Sequence, residues 1–181
     1  LENKNNLGII SPNELEVCLV IPIRGKPLKF GNTCQLEHSK RSIFKNKFVN
    51  RIYVATDCEY TAELALSLGF SVAEIREKSL SEPDVPIEQV HYWHLNVLEN
   101  KFDYHPDVIV NLHLTFPYRP DLLIDKLVQT LAEHGADTVL PAKNEFSWIW
   151  KDSEESNIFR LDKGDIPREY KKSFLLGSYG L

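Results

Sequence analysis

Apolar positions along this chain alternate between short continuous runs and stretches of helical spacing. Glu16-Val17-Cys18-Leu19-Val20-Ile21-Pro22 holds an unbroken apolar run stopped by proline, which predicts a buried strand. A loop with Gly25, Pro27, Gly31 and Asn32 follows, then an amphipathic helix over Thr33 to Asn46. Arg51 to Thr56 is β-branched and aromatic and reads as the next strand. Thr56 or Asp57 is expected to cap a helix that runs to Leu68 and ends at Gly69. Phe70-Ser71-Val72 reads as a short strand and 74–83 as a charged loop. A longer helix is expected from Asp84 or Val85 to about Asn100, with Pro86 near its first turn, where a missing N–H costs little. Val108 to Leu112 is a third strong strand. Pro120-Asp121 opens a helix with Leu122, Leu123, Leu127 and Leu131 as its apolar stripe and Gly135 as its stop. Thr138-Val139-Leu140 is expected as a fourth strand. Shorter ones are expected at Phe146 to Lys151, Ile158 to Leu161 and Ser173 to Tyr179.

Four strand–helix alternations before residue 142 predict an α/β fold, a mostly parallel sheet with helices on both faces. In such sheets ligands bind beyond the carboxyl ends of the strands. Three segments fall there: Arg24 to Lys29, Thr56-Asp57, and His113 to Arg119.

Composition narrows the picture. The length, 181 residues, suits one domain, and 43% hydrophobic residues suffice for a core. No apolar run approaches a membrane span of about 20 residues, and Leu1 to Asn6 is too polar for a signal peptide. Three cysteines without C-x-x-C spacing predict reduced thiols in a cytoplasmic protein, with Cys34 and Cys58 structural. Met is absent even at position 1, so a processed or incomplete chain is expected, with its C-terminus also cut.

Charge changes the picture locally. The net charge of −5 argues against a nucleic-acid partner. Yet residues 21–50 carry seven bases and only Glu37 as an acid, a local +6. A basic segment in an acidic chain suits a small polyanion such as a nucleoside triphosphate; Lys40 to Lys47 fit a solvated helix face equally well. Val20-Ile21-Pro22-Ile23-Arg24-Gly25-Lys26-Pro27-Leu28-Lys29 puts three cations in a glycine-containing loop after the first strand. Backbone N–H groups with fixed cations are what a triphosphate requires. Neither G-x-x-x-x-G-K-[ST] nor G-x-G-x-x-G is present.

Several of these segments, in order, resemble the acylneuraminate cytidylyltransferase (CMP-sialic acid synthetase) family. Val20 to Gly25 resembles the opening of "IPARGGSKGIPxKN", and Arg51 to Asp57 resembles "RVVVSTD". Glu63 to Gly69 is similar to "EIAEVAKKYGA", and Asp84 to Val90 to "DTAPSIDVV". Asp107 to Arg119 resembles "DIVVLLQPTSPLR", and Ala136 to Val139 resembles "ADSVV". Ile166-Pro167, Tyr170 and Leu176-Gly177-Ser178-Tyr179 are faintly similar to "LPxxYxxNGAIY".

The resemblance implies a Rossmann-like three-layer αβα nucleotidyltransferase of the GT-A type, one domain over 1–181 with a dimerisation flap at about 143–175. It implies transfer of CMP from CTP to a sialic-acid-like sugar acid with release of pyrophosphate, Mg²⁺ as cofactor and a homodimer. Arg24 and Lys26 would be catalytic. Ile23, Arg24, Gly25, Lys26, Lys29, Asp84 and His113 would bind nucleotide, and Thr115 and Arg119 the sugar. The metal ligands are not identified; Asp57 is a candidate, with helix capping its plainer role.

The chain also departs from the pattern. Its opening loop is about three residues shorter, Phe30 replaces the family Asn, and His113 replaces Gln. Leu114 and Phe116 replace Pro and Ser, and Asp165 stands where an arginine is expected. These departures leave two alternatives: a nucleotide-binding homologue without turnover, and a nucleotidyltransferase for another polysaccharide sugar of the KDO type. His91 and His94, at i and i+3, could share a metal but read better as packing residues. Trp148 and Trp150 fit a core strand and an interface equally well.

Overall fold

The computed structural model describes residues 10–152, 158–161, 170 and 172–177. The expectations for Leu1 to Asn6, Asp165, Ile166-Pro167 and Ser178-Tyr179 lie outside the described residues. The chain clusters into two compact units, the second spanning Leu140–Tyr179.

The first unit is built on strand β1 (Val17–Ile23), whose residues are buried except for Pro22. Alternation sends Val17, Leu19 and Ile21 to one face and Cys18 and Val20 to the other. β1 lies between β4 (Arg51–Thr56) and β5 (Val108–Asn111), parallel to both. Helix α1 (Gln35–Ile43) precedes β4, and helix α2 (Glu59–Ser67) follows it. The chain then runs past β4 a second time at Ser71, which bridges Tyr53 in parallel. The expected strand at 70–72 is therefore one bridge, with Val54 N–H donating to Ser71 O at 2.8 Å and Ser71 N–H to Ile52 O at 3.0 Å.

Helix α3 (Ile87–Phe102) carries the chain back to β5, on the other side of β1. This reversal places a topological switch point at the carboxyl ends of β1 and β5, where such sheets bind ligands. The β1–β5 register ends at Val20↔Asn111, and the N–H that Pro22 lacks falls where β5 has already parted from β1.

Helices cover both faces. Leu36 and Ile43 of α1, Ala65 of α2, and Ile124 and Val128 of helix α4 (Leu123–His134) pack against Val17, Leu19 and Ile21. Val90 and Leu98 of α3, with Tyr104, pack against Cys18, Val20, Tyr53 and Ala55. Each fully buried aliphatic side chain contributes about 1.5–3 kcal/mol. The expected α/β architecture holds.

Several boundaries differ from the sequence reading. The helix expected from Thr33 starts at Gln35, because Lys29–Phe30 (β2) and Thr33–Cys34 (β3) pair as a small hairpin. α3 starts at Ile87 rather than at Asp84 or Val85, with Pro86 extended at its N-cap, next to the first turn as expected. On α4 the buried positions are Ile124, Asp125, Val128 and Ala132, while Leu123, Leu127 and Leu131 are half-buried and Leu122 is left outside at a φ of 60°. Asp125 is buried because its carboxylate accepts the N–H of Lys47 at 2.9 Å and of Phe48 at 3.2 Å, fixing the approach to β4. Thr138-Val139-Leu140 forms no strand: it has no ladder partner among the described residues.

In the second unit, Ala142–Glu145 (β6) pairs antiparallel with Phe174–Gly177 (β9), and Trp150–Asp152 (β7) with Ile158–Arg160 (β8). Residues 146–149, expected to begin a strand, form none, and the pairing starts at Trp150. Trp148 and Trp150 are exposed, and the Arg160 guanidinium lies 5.4 Å from the Trp148 ring centre.

Candidate functional site

The loop after β1 is held by groups from three other segments. Ile23, the last residue of β1, is buried and pairs with Thr56 in register. Gly25 has a φ of +62°, a conformation that a side chain disfavours. Its N–H donates to Asp57 Oδ1 at 2.8 Å, and its carbonyl accepts the Thr61 hydroxyl at 2.7 Å. The Gly25 peptide is thus clamped on both sides.

Asp57 does not cap α2, contrary to the sequence reading. Cys58 occupies the N-cap position, and Thr56 Oγ1 accepts the Cys58 N–H at 3.2 Å. The Cys58 thiol is shifted down by hydrogen bonds from Thr61, so it differs in kind from the buried Cys18, which burial pushes up to about 12. The Cys34 sulfur accepts the Glu37 N–H at the start of α1.

The second partner of Asp57 is Arg76, which sequence reasoning passed over as part of a charged loop. Only 4% of Arg76 is exposed. Its N–H donates to Thr56 O at 2.8 Å, its Nε to Ser81 Oγ at 3.0 Å, and its Nη2 lies 3.9 Å from Asp57 Oδ1. Burial lowers its pKa, Asp57 opposes that, and the nearby Arg24 adds repulsion. Arg24 itself is exposed and donates from Nη1 to Ser81 O at 3.3 Å. Two guanidiniums thus share the Ser81 turn. A signal was available: Arg76 follows the strand-like run 70–72, a carboxyl-end position of the kind that drew attention to Arg24 and Asp57.

The other predicted phosphate ligands are less tied. Lys26 is exposed, with its ammonium 5.0 Å from the Tyr60 ring centre. Lys29 on β2 and Asp84 before α3 are exposed, and no hydrogen bond or ion pair among the described residues links either to the Gly25 cluster.

The β5 side is built differently. Leu112 N–H donates to Val20 O at 3.0 Å, so His113 is the first residue clear of the sheet. His113 is half-buried, and its Nε2 lies 3.1 Å from Asn111 Nδ2. Burial, then Arg119, lowers its pKa. The Arg119 guanidinium donates to the His113 carbonyl, and burial lowers Arg119 to about 10. Leu114, in the place of the family proline, is buried in the core, while Thr115 and Phe116 are exposed. The structure therefore joins His113 with Arg119 but leaves Thr115 on the surface. His94 is buried against Tyr53, its pKa lowered to about 4 by burial, and His91 beside it is half-buried. Both fit the packing reading.

Chemically, this end of the sheet offers the Arg24 and Arg119 guanidiniums and the His113 imidazole, suited to binding and neutralising a polyanion. Among the described residues no group of three His, Cys, Asp or Glu side chains could hold a metal ion by itself. Mg²⁺ needs only one or two carboxylates beside substrate phosphates, and Asp57, whose Oδ1 accepts the Gly25 N–H and lies 3.9 Å from Arg76, is the carboxylate at this end of the sheet. Among the described residues, too, no helix is long and apolar enough to cross a membrane.

Comparison with known proteins follows the same lines. The chain is similar in structure to CMP:2-keto-3-deoxy-manno-octonic acid synthetase complexed with CTP, at a TM-score of 0.52 and 16% identity, over 70% of this chain and 50% of that one. It thus spans half the length of that enzyme. It is also similar to 4-diphosphocytidyl-2C-methyl-D-erythritol synthase from Anaerococcus prevotii, at a TM-score of 0.58 and 11% identity, over 89% of this chain and 68% of that one. Another 4-diphosphocytidyl-2C-methyl-D-erythritol synthase matches at 0.60 and 10% identity, over 90% and 74%. These likenesses establish the Rossmann-like α/β fold. No curated protein matches by sequence. Residues 23–162, from the last position of β1 into the second unit, match the family model described as cytidylyltransferase, and the chain belongs to that family.

Proposed function

We propose that this protein binds CTP at the carboxyl ends of β1 and β5 and transfers its CMP moiety to a sialic-acid-like sugar acid. A sugar hydroxyl oxygen attacks the α-phosphorus in line, the bond to the bridging oxygen of the β-phosphate breaks, and pyrophosphate leaves. The protein's part is positioning and charge neutralisation. Arg24 and the Gly25 loop are assigned to the triphosphate, with Lys26 and Lys29 as outlying cations. Arg76 adds a buried positive charge behind that loop. Ile23 and Asp84 are assigned to the nucleoside, His113 to the nucleotide where it meets the acceptor, and Thr115 and Arg119 to the sugar. The observation carrying this reading is the Gly25 peptide, clamped by Asp57 and Thr61 next to Arg24 at the topological switch point. Family membership supports the choice of CTP.

The test is conversion of CTP and a nine-carbon sugar acid to a CMP-sugar and pyrophosphate, with an eight-carbon acid of the KDO type beside it. Turnover of the nine-carbon acid supports the reading. Turnover of the eight-carbon acid alone moves the substrate to the KDO type, named in one structural neighbour. A second reading, nucleotide binding without turnover, is favoured by one observation: Oδ1 of Asp57, the acid at the end of β4, accepts the Gly25 N–H and lies 3.9 Å from Arg76. It predicts CTP binding with no pyrophosphate released under any of these conditions.

A further inference from the structure

The buried polar groups behind His113 form a row that the assigned roles do not use. His91 on α3 lies next to the Asn111 side chain, and Asn111 Nδ2 reaches His113 Nε2 at 3.1 Å. The Asn111 contact opposes the effect of burial on His91, yet Asn111 Oδ1 and both ring nitrogens of His91 are buried without a partner in full hydrogen-bond geometry. A buried amide oxygen without a donor costs about 1–3 kcal/mol. A neutral imidazole beside it has one N–H to give.

We propose that Asn111, backed by His91, is a positioning residue that fixes His113 in the Nδ1–H tautomer, so that His113 offers the ligand a donor and no acceptor. The His91 N–H is directed at Asn111 Oδ1, and the Asn111 Nδ2–H donates to His113 Nε2. Nε2 then serves as acceptor, and the ring proton must sit on Nδ1. Nδ1 has no hydrogen-bond partner among the described residues and is not one of their buried unpartnered atoms. It is the nitrogen left open to a ligand. The family glutamine at this place can turn either its N–H or its carbonyl toward a ligand, whereas a histidine held in this way cannot. The ligand atom facing His113 is therefore an acceptor: a carbonyl, carboxylate or phosphate oxygen.

The role assigned to the ligand rests on the proposed function; the tautomer does not. The experiment is a long-range ¹H–¹⁵N correlation spectrum of the histidine rings in the whole chain, without nucleotide and near pH 7.5. Six histidines are present, and loss of one ring pattern in His113→Gln assigns the signal. The expected result is a neutral His113 protonated at Nδ1, the tautomer less populated in free imidazole side chains. Asn111→Asp, which replaces the donor by a charged acceptor, is expected to move the proton to Nε2. In the same variant kcat/KM is expected to fall about tenfold, the loss of one oriented hydrogen bond. A wild-type His113 protonated at Nε2 overturns the proposal, and so does an Asn111→Asp spectrum that keeps the proton on Nδ1. Absence of turnover together with the expected tautomers sinks the transfer reaction and leaves the positioning role standing. If Asn111→Asp does not fold, the wild-type spectrum decides alone.

Discussion

The two walls of the candidate site are made in different ways. The β1 wall is a backbone clamp: one glycine peptide held by a carboxylate and a hydroxyl, with Arg76 buried behind it. The β5 wall is a set of side chains: Asn111 and His113, backed by His91, with the Arg119 guanidinium on the His113 carbonyl. Fixed peptide dipoles and guanidiniums recognise charge with little regard for what carries it. Side chains with set donors and acceptors, here Asn111 and His113, discriminate between ligands. The comparison therefore assigns affinity to the β1 wall and selectivity to the β5 wall.

The largest expected effect strikes the clamp. Asp57→Ala leaves the Arg76 guanidinium buried without its carboxylate and frees the Gly25 N–H. Stability is expected to fall by about 3 kcal/mol, read by urea denaturation, because one partner of a buried pair has been removed. A loss below about 1 kcal/mol would mean that Arg76 is compensated elsewhere.

Apart from both walls, the buried His94 of α3, packed against Tyr53, makes the fold sensitive to acid. Its pKa is lowered to about 4 in the folded protein from an ordinary value near 6.5. Between those values the unfolded chain binds the proton and the folded one does not. Stability is therefore full above pH 6.5 and declines as pH falls toward 4, by about 3 kcal/mol at the limit. His94→Leu is expected to remove that slope while keeping the side chain apolar. Denaturation curves at pH 7 and pH 4.5 provide the check.

Smaller effects sharpen the division between the walls. Arg24→Ala is expected to weaken CTP and UTP alike by about tenfold, the loss of one charge-assisted contact. Gly25→Ala meets open space but keeps a positive φ, so about 1 kcal/mol of strain is expected, seen as a lower melting temperature. An Arg24→Ala protein that discriminates between the two pyrimidines better or worse than wild type would break the comparison.

The parts legible in the sequence were those with a local signature. β1, β4 and β5 each declare themselves by continuous apolar or β-branched runs, and Gly69 and Gly135 both end helices at positive φ. Arg24 and Gly25 stood out because a basic loop after a strand is a local pattern. What was not legible depends on contacts distant in sequence. Asp57 looked like a helix cap because its neighbours are helical; its actual partners are 32 and 19 positions away. Arg76 is buried only because Thr56 and Ser81 receive it. Asp125 lies on an apolar helix face because Lys47 and Phe48 bring two N–H groups to it. Thr138 to Leu140 shows the converse: β-branched residues form no strand where none of the described residues pairs with them.

The central claim is that the β1 and β5 ends form one cytidine triphosphate site. Calorimetric titration of the chain with CTP, UTP, ATP and GTP, each with Mg²⁺, tests it most directly. The account predicts CTP binding in preference to the other three, weakened by Arg24→Ala. Equal binding of all four, or none, would contradict it.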